Sequence, residues 1–252
     1  MKIISICNQK GGCAKTTTAV NLGASLASLG KRVLIIDNDP QGNLTQSLGV
    51  KDYTNTIYEV LKGDVSIKDT IIRTKTENVD VLPSSLDYAN LELEVSGVLN
   101  KENLLDKIIR KAKLKYDFIL IDCSPSLSTT VVNALVASHS VLIPLEASMF
   151  NFHGIGQLVK VLRLIKGNLN PNLYVEGVLL TRVDARTTLT NDFRIELEKI
   201  FQDNLFKTVI HQNAAIVRSQ IKGIPVLTFD KNSKGAKEYL SLANEVIAND
   251  KK

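Results

Sequence analysis

Short runs of consecutive apolar residues constrain this fold most tightly: "IISIC" at 3–7, "VLII" at 33–36, "FILI" at 118–121 and "VLI" at 141–143. Apolar and polar residues do not alternate within them, so strands built from these runs bury both faces. Two further runs lie at 79–82 and 175–180. Between the runs, apolar residues recur at helical spacing over 16–29, 104–114, 128–137, 155–165, 189–201 and 236–247. Gly30 ends the first of these helices, and Lys31 and Arg32 sit at its negative end. Strands of this kind alternating with helices predict an α/β fold, a mostly parallel twisted sheet covered by helices on both faces. With 252 residues, no internal repeat and no linker, we expect one domain over the whole chain.

Open parallel sheets bind ligands beyond the carboxyl ends of their strands. Four polar or glycine-containing segments should therefore meet there: the loop after the first strand, 37–43, 122–128 and 181–187. The first loop, "NQKGGCAKTTTA" at 8–19, joins a strand to a helix. Gly11 and Gly12 let backbone N–H groups turn toward an anion at the positive end of that helix. Lys15 is placed to reach β- and γ-phosphates, the Thr16 hydroxyl to ligate magnesium, and Thr17 to touch another phosphate. The outer glycines of the usual phosphate loop are replaced by Gln9 and Ala14, and a second lysine, Lys10, is added. Two lysines in one tight loop repel unless a polyanion is near. Lys15 already serves the local phosphates, so Lys10 is free to reach those held by a second subunit and to act as an arginine finger does.

The stretch "KGGCAKTT" resembles the deviant Walker A motif, K-G-G-x-[GA]-K-[ST]-[ST], of the ParA/MinD ATPases. That resemblance implies a P-loop NTPase fold, bound ATP and Mg2+, and a front lysine acting across a nucleotide-sandwich homodimer. Ala14 stands where glycine is more frequent; if its backbone needs a positive φ, alanine costs about 1 kcal/mol there. Cys13 fills a variable position, either as a small buried filler or as a thiol activated by the helix end and the lysines.

"DNDPQGN" at 37–43 resembles the second family motif in full. By position Asp39 matches the residue that positions or activates the attacking water and joins the metal shell, and Asp37 supports the turn. Asp122, ending "FILID", reads as the Walker B carboxylate that holds magnesium through water. Where the family more often has two prolines, this chain has Ser124 and Pro125. "LLTRVDARTTL" at 179–189 resembles a Soj-type segment, and "IHQNAAIVRSQIKGIPV" at 210–226 resembles the family's adenine-contacting segment. There Asn213 matches, whereas His211 replaces the usual proline; an ordinary loop asparagine closing its own turn is the other reading of Asn213.

Lys and Arg total 31 against 26 Asp and Glu, a formal net charge of +5 that permits attraction to DNA without establishing it. Arg186, Arg218 and Lys222 are candidate contacts to duplex phosphates. Three scattered cysteines and three scattered histidines give neither a disulfide framework nor a zinc or iron–sulfur spacing. No apolar run approaches the roughly 20 residues of a membrane span, and the C-terminal "LANEVIANDKK" lacks a basic–apolar anchor. We expect a cytoplasmic, nucleoid-associated protein with no membrane contact. No helix-turn-helix precedes the first strand, so no sequence-specific reading domain is expected.

Taken with the resemblance, these residues point to a ParA/Soj-type partition ATPase: Mg-ATP drives dimerisation, the dimer binds DNA nonspecifically, and a ParB-like partner stimulates hydrolysis. Two alternatives stay open, a MinD-like ATPase positioning membrane or other cargo, and a nucleotide-gated DNA-binding regulator with negligible hydrolysis.

Overall fold

The computed structural model describes residues 1–146, 151–184 and 189–250. In chain order the strands are β1 (Lys2–Ile6), β2 (Val33–Asn38), β3 (Ile72–Arg73), β4 (Val79–Leu82), β5 (Phe118–Cys123), β6 (Ser140–Glu146), β7 (Tyr174–Val183) and β8 (Leu205–His211). Among the described residues they form one sheet in the order β3-β4-β2-β5-β1-β6-β7-β8. Every neighbouring pair is parallel except the antiparallel β3–β4 pair at one edge. The mostly parallel sheet expected from the unbroken apolar runs is the one found.

Within each central strand, adjacent residues enter different cores. Leu34, Ile36, Ile119 and Ile121 pack on one face, and Val33, Ile35, Phe118 and Leu120 on the other. This is the period-2 geometry of a strand with no solvent-facing side. The second face is covered by α1 (Lys15–Ser28) and by α12 (Lys234–Asn249), which contributes Tyr239, Leu242 and Val246. The first is covered by α6 (Leu104–Ala112), α7 (Thr129–Ala137), α8 (Asn151–Asn168) and α9 (Leu189–Phe201), through residues such as Leu105, Val131, Leu158 and Leu197. Gly23 explains how α1 comes so close to the sheet: a Cβ there would lie 2.6 Å from Ile35 Cδ1.

Short helices complete the chain: α2 (Asn43–Ser47), α3 (Ile57–Lys62), α4 (Ile67–Thr70), α5 (Leu91–Glu94), α10 (Ala214–Ile221) and α11 (Val226–Phe229). The expected strands and long helices are present with ends shifted by a residue or a few. β8 and the short helices go beyond the sequence reading. β8 pairs only with β7 and mixes buried with half-buried residues, so "LFKTVIH" lacks the unbroken apolar signature. The start of α3 did carry a legible signal, since Thr56 and Glu59 form a capping box.

Candidate nucleotide site

β1 stops at the loop because Asn8 is tied sideways. Its Nδ2 donates to the Pro144 carbonyl at 2.7 Å, and its Oδ1 accepts from the Lys10 N–H at 3.1 Å. The chain then turns through Gly12 (φ 77) and enters α1 through Ala14, whose φ of 67 and ψ of 32 are left-handed. Ala14 therefore occupies the conformation that glycine adopts without strain. No side chain caps this helix, so its first N–H groups face the loop.

Lys15 is buried, and its Nζ donates to the Lys10 carbonyl at 3.1 Å. Cys13 is buried as well; its thiol donates to the same carbonyl at 3.1 Å, and burial pushes its pKa up. Of the two readings of Cys13 the geometry matches the inert filler, because a buried thiol lacks the exposure that reactivity requires.

Beneath the loop the sheet order sets two carboxylates side by side, since Asp37 on β2 pairs in register with Asp122 on β5. Asp37 Oδ2 accepts from the Thr45 N–H at 2.9 Å and the Thr45 hydroxyl at 2.6 Å, which fastens α2 to the strand end. Burial nevertheless raises the Asp37 pKa from 3.8 to about 6. Asp122 Oδ2 accepts from the Thr16 hydroxyl at 2.7 Å. Its Oδ1 is buried without a hydrogen-bond partner, and burial, followed by the charge of Asp37, drives its pKa far above the ordinary carboxylate range. An orphaned carboxylate oxygen beside a threonine hydroxyl is a donor set that fits a hard divalent cation. Among the described residues there is no group of three or more His, Cys, Asp or Glu, so any such ion would draw its remaining ligands from water and a bound phosphate.

Above this floor opens a cleft of about 1050 Å3. Gly11, Gly12, Ala14, Lys15, Thr16 and Thr17 line its base. Asp39 lines one wall, where its Oδ1 accepts from the Gln41 N–H at 3.0 Å. Ser124 and Pro125 follow β5 into the same cleft. The far wall is the end of β8 and α10, with His211 and Asn213. Asn213 caps α10 by accepting from the Ala215 N–H at 2.8 Å, so it closes its own turn while it faces the cleft. His211 lies 2.6 Å through Nδ1 from Glu238 Oε1, which leaves its other edge toward the cleft.

The residues picked from the sequence are not all on the cleft wall. Lys10 is half-buried and Cys13 buried, and neither is among the lining residues. Arg218 and Lys222 are exposed on α10 and at its end, with Lys222 Nζ 5.1 Å from the centre of the Phe229 ring. Arg186 lies outside the described residues.

Three contacts to the loop were not anticipated. The Thr181 hydroxyl donates to the Cys13 carbonyl at 3.1 Å, and Arg182 Nη1 to the Gly12 carbonyl at 3.2 Å. Gln220 on α10 donates to the Thr17 hydroxyl at 2.7 Å. Arg182 has a positive φ of 52 within a register irregularity between β7 and β8, a local kink that re-aims its side chain. No local pattern marks these residues; they meet the loop only because β7 and α10 lie on its side of the sheet.

A phosphate-type loop between a parallel strand and its helix, with a buried lysine and a threonine–aspartate pair beneath, defines a P-loop nucleoside-triphosphate-binding protein of the α/β class. Comparison with known proteins narrows this. A family model described as an AAA domain matches residues 1–175. The sporulation initiation inhibitor protein Soj of Bacillus subtilis is 45% identical over 250 residues, 98% of this chain and 99% of that protein. The chromosome partitioning protein ParA of Caulobacter vibrioides is 36% identical over 100% of this chain and 96% of that one. The crystal structure of cobyrinic acid a,c-diamide synthase from Mycobacterium smegmatis with bound ATP analogue and magnesium superposes with a TM-score of 0.86 at 32% identity, covering 97% of this chain and 93% of that one. The chain belongs to the Soj/ParA family of P-loop ATPases that includes chromosome partitioning proteins. Among the described residues no helix is long and apolar enough to cross a membrane.

Proposed function

We propose that this chain is a single-domain partition ATPase that binds Mg-ATP in the cleft, dimerises around it and releases ADP and phosphate slowly until a partner accelerates the step. The observation that carries this reading is the pair beneath the loop, Thr16 Oγ1 on Asp122 Oδ2 with Asp122 Oδ1 unpartnered in a dry setting. Such a pair is costly unless a cation completes it.

Lys15 leaves the Lys10 carbonyl, where it now rests at 3.1 Å, for the β- and γ-phosphates. The loop N–H groups and the start of α1 orient the phosphate chain. Thr16 and Asp122 would hold Mg2+, directly and through water, and the ion when bound neutralises developing phosphate charge. Asp39 faces the cleft and orients the attacking water. Lys10, off the cleft wall, serves the triphosphate of a second copy and neutralises charge in its transition state. Asn213 and His211 border the base pocket. The dimer contacts duplex DNA without sequence preference through Arg218 and Lys222, joined by Arg186, and a ParB-like centromere-binding protein stimulates turnover. The protein then works in the cytoplasm on the nucleoid.

The test separates binding from turnover. Lys15→Ala should abolish nucleotide binding, whereas Asp39→Ala should bind ATP, fail to hydrolyse it and accumulate as a dimer by size-exclusion chromatography. A monomeric Asp39→Ala protein at saturating ATP would overturn the scheme.

A further inference from the structure

The sheet end opposite the nucleotide cleft holds a second recess, of about 640 Å3. It is built from residues just before β2, at the start of β4 and just before β5, the amino ends of the parallel strands. Five cations line it, Arg32, Lys68, Arg73, Lys113 and Lys115, and all are exposed. Two carboxylates share the wall, Glu77 and Asp80. Asp80 accepts from the Tyr116 hydroxyl at 2.6 Å, so part of its charge is met locally. Arg32 Nε stands 3.6 Å from Asp117, an exposed pair that leaves the guanidinium within reach of another anion. The whole chain carries a net charge of only +5, so a large share of its excess is gathered here.

We propose that this recess is a second binding site for the backbone of duplex DNA, one that works without bound nucleotide. Three chain segments spread the cations along a rim, as suits a line of phosphates better than one compact anion. Arg32 and Arg73 offer planar forks that match phosphate oxygens. An acidic peptide would want apolar anchors, yet Ile71, Val79 and Leu114 in the wall are half-buried or buried. Tyr116, the aromatic residue of the lining, has its hydroxyl tied to Asp80, which disfavours single strands that need stacking platforms. The six residues of β2 separate this end of the sheet from the cleft end by about 20 Å. One subunit therefore presents cations at both ends of its sheet and can bridge two duplex segments. The proposal takes from the functional reading only that duplex DNA is the protein's working surface.

The full chain is titrated onto a labelled arbitrary duplex by fluorescence anisotropy over a salt series, without nucleotide and with ATP. Capture of a second labelled duplex by a bead-bound one reports bridging. The Lys68→Glu/Arg73→Glu/Lys113→Glu variant is compared with Arg218→Glu/Lys222→Glu. Without nucleotide, the first variant should lose most duplex binding and flatten the log–log salt slope by roughly three, at about 0.9 per phosphate contact. With ATP it should still bind one duplex but no longer bridge two, and its ATP affinity should match the parent's. Single Lys68→Glu and Lys113→Glu proteins, should the triple variant melt early, ought each to flatten the slope by about one.

An unchanged slope and intact bridging in the first variant would overturn the proposal while leaving the α10 contacts standing. So would polyglutamate of matched charge binding more tightly than the duplex, which would identify an acidic protein partner instead. If Arg218→Glu/Lys222→Glu keeps all ATP-dependent binding and the first variant loses it, the α10 contacts fail and this site stands. A parent protein that binds no duplex in either state removes both.

Discussion

Replacing Ala14 by glycine should stabilise the protein, although alanine is ordinarily the better residue at a helix start's flank than an unconstrained glycine. Ala14 is held at φ 67, ψ 32. An L-residue with a Cβ pays about 1–2 kcal/mol in that region. Glycine pays nothing there but gains freedom in the unfolded chain, which costs about 0.4–1 kcal/mol. The first helical bond, Thr18 N–H to the Ala14 carbonyl at 2.8 Å, survives the change. The position also flanks α1 without a side-chain cap, where glycine is preferred to alanine. The net gain is about 0.5–1 kcal/mol, or roughly 1–4 °C in melting temperature for a chain of this size. Differential scanning fluorimetry on the nucleotide-free protein measures it, with Ala14→Val as the opposite arm, because a β-branched residue at positive φ is strained further. The order glycine, alanine, valine from highest to lowest melting point is expected. A glycine variant melting at or below the parent, or a valine variant equal to it, would show that the left-handed loop residue is not a source of strain.

Asp37 predicts a pH dependence. Its carboxyl rises from 3.8 to about 6 on folding, so the stabilisation it gives is complete below the ordinary value and is lost as pH climbs through about 6. The nucleotide-free protein should gain up to about 3 kcal/mol from this group as the solution is acidified across that window, and Asp122 acts in the same direction. Urea unfolding of parent and Asp37→Asn measures it; an equally steep pH dependence in the variant would refute the assignment. Lys2 and Glu176 form a buried ion pair at 2.9 Å, and Glu176→Ala should cost about 3–5 kcal/mol by stranding the ammonium, readable by the same unfolding assay. At Asn213, alanine should cost about 1 kcal/mol through the lost cap of α10. Asn213→Asp should keep the cap and the melting point but weaken ATP binding measured by calorimetry, since it removes the amide donors; unaltered affinity would reduce Asn213 to a cap.

The amino-acid sequence alone determined what is local. Unbroken apolar runs can only be strands buried on both sides, so the class of sheet followed from 3–7, 33–36 and 118–121. The loop chemistry of Gly11 to Thr17 and the acid at 39 were legible because their spacing is short and their residue types are demanding. The tertiary structure decided everything that depends on strand order. Asp37 and Asp122 are neighbours because β5 inserts beside β2, and neither could be known to perturb the other from a separation of many residues. Thr181, Arg182 and Gln220 reach the loop from segments far along the chain, through bonds that no periodicity announces. The same holds for the basic recess, whose cations look like scattered solvated charges until β2, β4 and β5 bring their amino ends together. Period and turn chemistry are properties of a few adjacent residues, whereas the contacts that complete a site depend on which strands pair, and pairing is settled only when the whole core is buried.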